Sequence, residues 1–204
     1  MSQNAFLKSE YEQSITYESY RELINDLLPH NLTTGGNSSP EMLEYARMNV
    51  QRMNRWDKTY TPSAELTEIV NSYNQKEIWL MLTEGWCGDA AQNVPLIKKI
   101  ADLSSNIEIR FLLRDQHTEL MDQYLTNGSR SIPKLIRLNA ETFEEIGTWG
   151  PRPEALQERV LHMKNELGMS KDEMAKEIHL WYAKNKGEAL EAEFGSMLKE
   201  TVEA

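Results

Sequence analysis

The sequence contains one cysteine, Cys87, among 204 residues. A single thiol forms no disulfide within its own chain, which agrees with a reducing compartment, and it excludes zinc sites built from several cysteines. The four histidines are scattered along the chain and do not have the spacing of metal ligands. We therefore expect no bound metal.

Long apolar runs and an excess of positive charge are also missing. The longest apolar run, "IWLML", is far shorter than the roughly 20 residues that cross a membrane. The first residues have neither the basic nor the apolar segment of a secretory signal. The net charge of -10, from 22 basic and 32 acidic side chains, repels nucleic acid and anionic membranes. We expect a cytoplasmic protein that binds neither.

The residues that are present describe an ordinary globular chain with three regions. Hydrophobic residues make up 40% and charged residues 26%, and the length predicts one domain with extensions. We place an N-terminal helical extension at 1–62, an α/β domain at 63–166 and a C-terminal helical extension at 167–204. Both extensions are expected to bury apolar faces against the core, through helices at about 42–56 and 174–182.

The central region alternates between helical and extended patterns. "EIWLMLT" is too short for a helix and predicts a buried strand, and "NIEIRFLL" has the alternation of a second strand. "PKLIRL" and "TFEEIGTW" predict a hairpin, and helical patterns precede, separate and follow the strands. Helices between strands imply parallel pairing, so the first two strands should be parallel and the last two antiparallel.

One short motif, with the proline positions around it, gives the chain a family resemblance. The stretch "WCGDA" begins at Trp86, and Pro95 follows Cys87 by eight residues. "RSIP" ends at Pro133, 46 residues after the cysteine, and Gly150 follows the last strand. With the element order, these features resemble thioredoxin over about 63–166. The full chain resembles bacterial thioredoxin-family proteins with helical extensions. The resemblance implies a thioredoxin fold and a cis Ile132–Pro133 bond.

Two departures from the thioredoxin pattern concern the redox chemistry. Ala90 stands where thioredoxin has its second cysteine. Met81 stands six residues before Cys87, where thioredoxin has a buried acid that moves protons to and from that cysteine. A buried carboxylate without a resolving thiol would be costly, so the two losses belong together. A full dithiol cycle cannot run within one chain.

The resemblance also implies a site. Cys87 would begin a helix, whose unpaired N–H groups favour the thiolate, so we expect a lowered pKa and name Cys87 as the candidate catalytic residue. Asp89 opposes this by its charge, or it caps the helix. Three basic side chains would favour the thiolate and attract an anionic thiol: Arg130, Lys134 and Arg152. The candidate substrate-binding residues are Trp86, Gly88, Asp89, Ile132 and Pro133.

Three functions remain open from the sequence. The first is a monothiol thioredoxin-like protein, in which Cys87 forms a mixed disulfide with a protein or small-thiol substrate and an external thiol resolves it. The second is a redox-inactive thioredoxin-fold module that binds a protein partner. The third is an iron–sulfur carrier with one cysteine per chain. No cofactor is expected beyond a low-molecular-weight thiol, and the sequence carries no signature of an oligomeric state.

Overall fold

A computed structural model describes residues 2–203 and has the α/β architecture that the sequence predicts. Nine helices and four strands lie within these residues. The strands are β1 (Glu77–Thr83), β2 (Ile107–Leu113), β3 (Lys134–Asn139) and β4 (Glu145–Trp149). The helices are α1 (Gln3–Glu12), α2 (Tyr17–Leu27), α3 (Pro40–Thr59), α4 (Ala64–Ser72), α5 (Gly88–Ala101), α6 (Thr118–Met121), α7 (Glu154–Asn165), α8 (Lys171–Asn185) and α9 (Glu188–Glu203).

The four strands form one sheet in the order β2–β1–β3–β4. β1 pairs with β2 in parallel, while β3 is antiparallel to both β1 and β4, so the predicted pairing is confirmed. Every residue of β1 is buried, which explains why its sequence is a continuous apolar run rather than an alternation. The Ile132–Pro133 bond before β3 is cis, as predicted. The Gly150–Pro151 bond after β4 is also cis, which no sequence pattern had indicated.

Some local predictions differ from the structure. The helical pattern between the second and third strands, "DQHTELMDQYL", forms a helix only in α6, four residues long. β4 begins at Glu145 rather than Thr142, because Phe143 takes a left-handed conformation in the turn, with φ 57°. α1 was not predicted, since its sequence is polar and Leu7 is its only buried apolar residue.

The two extensions pack on the core in different ways. In α3 the buried Met53 and Trp56 belong to the main hydrophobic core, as expected. α8 was expected to bury an apolar face, and this is wrong: Tyr182 is its one buried residue, and its hydroxyl is held by polar groups of α5. The apolar anchor of the C-terminal extension is α9, where Phe194 is fully buried.

Phe194 lies between two tryptophans of the sheet. Its ring centroid is 5.3 Å from that of Trp79 in β1 and 5.5 Å from that of Trp149 in β4. Leu190 and Leu198, one turn away on either side, are also buried in the core. α9 therefore covers one face of the sheet, and the central domain is incomplete without it.

We predict that Phe194→Ala lowers the free energy of unfolding by about 3–5 kcal/mol, because it leaves a cavity between the two tryptophans. Urea denaturation measures the change. Leu180→Ala, at an exposed position of α8, is the control and should have little effect. Equal stabilities of the Phe194→Ala variant and the wild type would show that α9 does not complete the core.

A buried ion pair crosses the sheet beneath α9. Arg137 in β3 donates to both carboxylate oxygens of Glu77 in β1, at 2.8 Å from Nε and 2.6 Å from Nη2. The indole of Trp79 and the hydroxyl of Tyr73 also donate to Glu77. The Glu77 side chain is fully buried, so its charge depends on these donors.

We predict that Arg137→Met costs about 3–5 kcal/mol of stability, because it leaves a buried carboxylate without its cation. The double variant Arg137→Met/Glu77→Leu should recover most of the loss. Arg130→Met, which breaks the exposed pair with Asp122, is the matched control and should change the urea midpoint little. A double variant as unstable as Arg137→Met would contradict this account.

Candidate functional site

The lone thiol lies at the junction between β1 and α5. β1 ends at Thr83, a short turn follows, and Cys87 is the residue that precedes the first helical residue, Gly88. The sulfur accepts a hydrogen bond from the Ala90 backbone N–H at 3.5 Å, in the position where a serine or aspartate oxygen usually caps a helix. The thiol in turn donates to the backbone carbonyl of Ile132 at 3.3 Å. Cys87 is therefore held as a hydrogen-bonded, protonated thiol.

The pKa of Cys87 is raised, not lowered as expected from its position in the sequence. Burial raises the pKa of this thiol to about 12, and the negative charge of Asp89 acts in the same direction. Backbone N–H groups of Ala90 and Asp89 and the charge of Arg152 lower it, but by less. The side chain is only 9% exposed, so the cost of burying a thiolate outweighs the effect of the helix start.

The cis-proline loop lies beside the sulfur but does not form an open groove. Ile132 is 5% exposed and Pro133 is buried. Gly150, at φ 109°, packs so closely on this loop that a Cβ there would lie 2.2 Å from the Pro133 carbonyl oxygen. The backbone of Ile132, expected to receive a partner chain, is thus covered, and its carbonyl already accepts the Cys87 thiol.

Asp89 connects three elements around the thiol. Its carboxylate forms an ion pair with Arg152 at 2.6 Å and accepts a hydrogen bond from the Tyr182 hydroxyl at 2.9 Å. Asn93, one turn further along α5, donates to the Asp89 backbone carbonyl at 2.9 Å and to the Tyr182 hydroxyl at 2.8 Å. These bonds fix α8 and the segment after β4 to the start of α5.

A cavity of about 470 Å³ lies next to Cys87, and both extensions help to form it. Seven of its twelve lining residues belong to α3 or α8. The lining from α3 is Met42, Tyr45 and Arg52, that from α8 is Lys171, Ala175, Ile178 and His179, and the remainder is Trp86, Cys87, Gly88, Asp89 and Arg152. We call this space the thiol cavity.

Arg52 and His179 meet at the wall of the thiol cavity. The guanidinium Nη2 of Arg52 lies 3.1 Å from Nε2 of His179. Because a guanidinium is only a donor, Nε2 accepts and the proton of the neutral ring is on Nδ1. Burial lowers the pKa of His179, and the charge of Arg52 lowers it further. His179 is therefore a neutral donor at physiological pH.

The predicted site residues divide into three groups. Trp86, Gly88, Asp89 and Arg152 line the thiol cavity with Cys87. Ile132 and Pro133 adjoin the sulfur but are buried, as described above. Arg130 and Lys134 do not line the cavity.

The described structure does not bring these last two side chains to the thiol cavity. Arg130 pairs with Asp122 at 2.6 Å on the surface. Lys134 lines a separate depression together with Glu145.

Arg52, His179 and Tyr45 are cavity residues that sequence reasoning missed. They lie in the two extensions, and Arg52 and His179 are 127 positions apart. No local motif surrounds them, and only the packing of α3 and α8 brings them to the thiol.

Other features of the described chain bear on chemistry. Within residues 2–203, no group of three or more histidine, cysteine, aspartate or glutamate side chains is placed to hold a metal ion. In the same residues, no helix has the length and apolar character needed to cross a membrane.

Comparisons with known proteins agree with this architecture. A family model described as thioredoxin matches residues 36–174. A crystal structure of a protein of unknown function from Pseudomonas aeruginosa is similar with a TM-score of 0.59 at 20% identity, covering 100% of this chain and 98% of that one. An HIV epitope scaffold is similar with a TM-score of 0.51 at 20% identity, covering 93% and 98%. No curated protein sequence matches the chain.

We predict that alkylation of Cys87 by iodoacetamide is slow at neutral pH and still accelerates with pH above about 8.5, the ordinary pKa of a free cysteine. The thiolate is the nucleophile, and a raised pKa lowers its fraction at any given pH, tenfold for each unit. Mass spectrometry of native protein over time measures the rate. A plateau near pH 7 would show an activated thiolate and contradict the buried, protonated state of the sulfur.

Asp89→Asn should speed this alkylation, because it removes a negative charge that raises the Cys87 pKa. Asp102→Asn makes the same charge change at the other end of α5 and should not.

Proposed function

The chain belongs to the thioredoxin family, and we propose that it is a binding module of that fold, whose thiol cavity holds a small molecule, rather than a dithiol oxidoreductase. The observation that carries the proposal is that helices α3 and α8 from the two extensions line the cavity next to Cys87. In the thioredoxin resemblance this region is a cleft that receives an extended partner chain. Here the space has the volume of a small-ligand pocket, which is roughly 300–1,000 Å³.

The state of the cis-proline loop supports a small ligand over a protein partner. A docked chain would need the backbone groups of Ile132, and that residue is 5% exposed with its carbonyl occupied by the Cys87 thiol. A protein segment would have to displace this bond and the residues around it. A small molecule in the thiol cavity needs no such rearrangement.

The chemistry of Cys87 supports binding over catalysis. The protonated Cys87 thiol caps the start of α5, so the residue has a structural role that requires no catalysis. Ala90 and Met81 are both buried and apolar, and they occupy the positions of the second cysteine and the acid in thioredoxin. No group at those positions accepts a proton or attacks a mixed disulfide.

Monothiol exchange is the second candidate. It is favoured by the position of the Cys87 sulfur at a helix start, with the positive charge of Arg152 nearby and a cavity at its side. In that reaction the Cys87 thiolate attacks a small disulfide, forms a mixed disulfide and releases one thiolate. An external thiol then attacks the mixed disulfide, and Cys87 leaves as a thiolate.

We predict that the wild type and Cys87→Ser reduce a small disulfide, such as oxidised 2-mercaptoethanol, at the same uncatalysed rate when an external thiol is supplied. The reason is that a protonated, capped thiol does not compete with the free thiol in solution. The rate of disulfide reduction is measured by absorbance at neutral pH, in an assay coupled to consumption of the external thiol. Ala90→Cys is the positive comparison, since it restores a second sulfur one helical turn from the first.

Turnover by the wild type above that of Cys87→Ser would establish monothiol exchange and reject the binding module. Formation of a stable Cys87 adduct at neutral pH would also favour the exchange reaction.

A further inference from the structure

We propose that the thiol cavity binds a small organic molecule through an anionic oxygen group, a carboxylate or a phosphate, and that Arg52 is its main charge partner. This inference rests on the proposed binding function and names the chemistry of the ligand. The sequence alone did not indicate Arg52 as a residue of this site.

The charge balance of the cavity is opposite to that of the protein. The chain has a net charge of -10. The cavity lining holds three basic side chains and one acidic side chain. The acid, Asp89, is already paired with Arg152 at 2.6 Å. The remaining positive charges, Arg52 and Lys171, face the cavity of an otherwise acidic protein.

Arg52 has no carboxylate partner among the side chains of residues 2–201. Its guanidinium donates to neutral atoms: the Asn49 side-chain oxygen at 2.9 Å, the Met48 sulfur at 2.8 Å and the His179 ring nitrogen at 3.1 Å. The residue is half-buried. Burial lowers its pKa and the charge of Arg55 lowers it further, whereas the charge of Asp89, which is paired with Arg152, acts in the opposite direction. A partly desolvated cation without a carboxylate paired to it is costly, and an anionic ligand would reduce that cost.

Three N–H groups of the lining are buried without a hydrogen-bond partner in the described chain. They are Nε1 of Trp86, Nδ1 of His179 and Nε of Arg152. The tryptophan and arginine nitrogens are donors only, and the His179 tautomer derived above makes its Nδ1 a donor as well. Unpaired buried donors are rare in folded proteins, and of the four side-chain N–H groups in this state in the described chain, three belong to residues that line this cavity. Polar groups around the cavity are thus incompletely paired, and Arg52 offers positive charge to a ligand rich in acceptors.

The rest of the cavity lining is apolar and indicates that the ligand also has a carbon skeleton. Met42, Tyr45, Ala175 and Ile178 present apolar surface from α3 and α8. An inorganic ion would leave this surface unused. A small organic acid or phosphate ester would place its anionic group at Arg52 and its carbon skeleton against these side chains.

Cys87 provides a reporter inside the cavity. Iodoacetate and iodoacetamide are similar in size and react alike: the thiolate displaces iodide, a sulfur–carbon bond forms and the thiol proton passes to the solvent base. They differ in that one carries a carboxylate and the other a neutral amide. The ratio of their rates at Cys87, divided by the ratio for a free small thiol, measures attraction of a carboxylate to the cavity.

We expect this normalised ratio to be about tenfold in favour of iodoacetate in the wild type at low salt. Arg52→Gln should reduce it to near one, and Arg52→Lys should keep part of it. Arg47→Gln, the same charge change at an exposed position of α3 that does not line the cavity, should leave it unchanged. A variant that loosens the fold speeds both reagents, whereas loss of the anion contact slows iodoacetate and leaves the iodoacetamide rate unchanged, so the two absolute rates separate these effects.

Competition identifies the anionic group. At constant ionic strength, slower iodoacetate reaction in inorganic phosphate than in acetate indicates a phosphate ligand, and the reverse indicates a carboxylate. A wild-type ratio near one, or a ratio that Arg52→Gln does not change, would overturn the proposal. The alkylation ratio does not depend on disulfide turnover. A failure of this proposal can therefore be distinguished from a failure of the proposed binding function, which is tested by turnover.

Discussion

The ion pair between Asp89 and Arg152, with the Tyr182 hydroxyl on the same carboxylate, determines the environment of the thiol. A carboxylate is stabilised in the first turn of a helix by the positive helix end, so Asp89 suits its place in α5. From there it fixes the segment after β4 and the helix α8 of the C-terminal extension. α8 then helps to wall the cavity beside Cys87, and the burial that results keeps the thiol protonated.

This arrangement changes the use of a thioredoxin fold. In a dithiol protein the cysteine at the helix start must be exposed and ionised, and a second thiol must follow it. Here the same position holds a protonated sulfur that caps α5, and Ala90 and Met81 replace the reactive partners with packing. The two arginines near the thiol differ, because Arg152 is paired with Asp89 whereas Arg52 has no paired carboxylate. These features support ligand binding at this position more than thiol–disulfide exchange.

The sequence predicted the sheet well because its signals are local. β1 is a short apolar run with a helical pattern between it and β2, from which the parallel pairing followed. The cis bond at Pro133 was implied by the resemblance to thioredoxin. Trp86, Gly88 and Asp89 line the thiol cavity because they adjoin Cys87 in the chain.

The rest of the site depends on contacts that no local pattern encodes. Arg130 and Lys134 flank Pro133 in sequence, but Arg130 pairs with Asp122 and Lys134 lines a separate depression, so proximity along the chain did not bring them to the thiol cavity. Arg52 and His179 come from opposite extensions and meet only because α3 and α8 both pack near α5. The sign of the Cys87 pKa shift was wrong for a related reason: the helix start is a local effect, whereas the burial that outweighs it comes from distant residues.

The most direct test of this account is whether α8 limits access to Cys87 according to the size of the reagent. Native protein would be labelled at mildly alkaline pH with N-methylmaleimide and with a maleimide that carries a rigid polycyclic aromatic group, which share a reactive group and differ in bulk. The account predicts that the bulky reagent is strongly disfavoured at Cys87 in the wild type, and that Tyr182→Ala, which releases α8 from Asp89, removes most of the difference. Equal labelling by both reagents in the wild type would show that the thiol is freely accessible, and would contradict the burial of Cys87 behind α8 on which the proposed function depends.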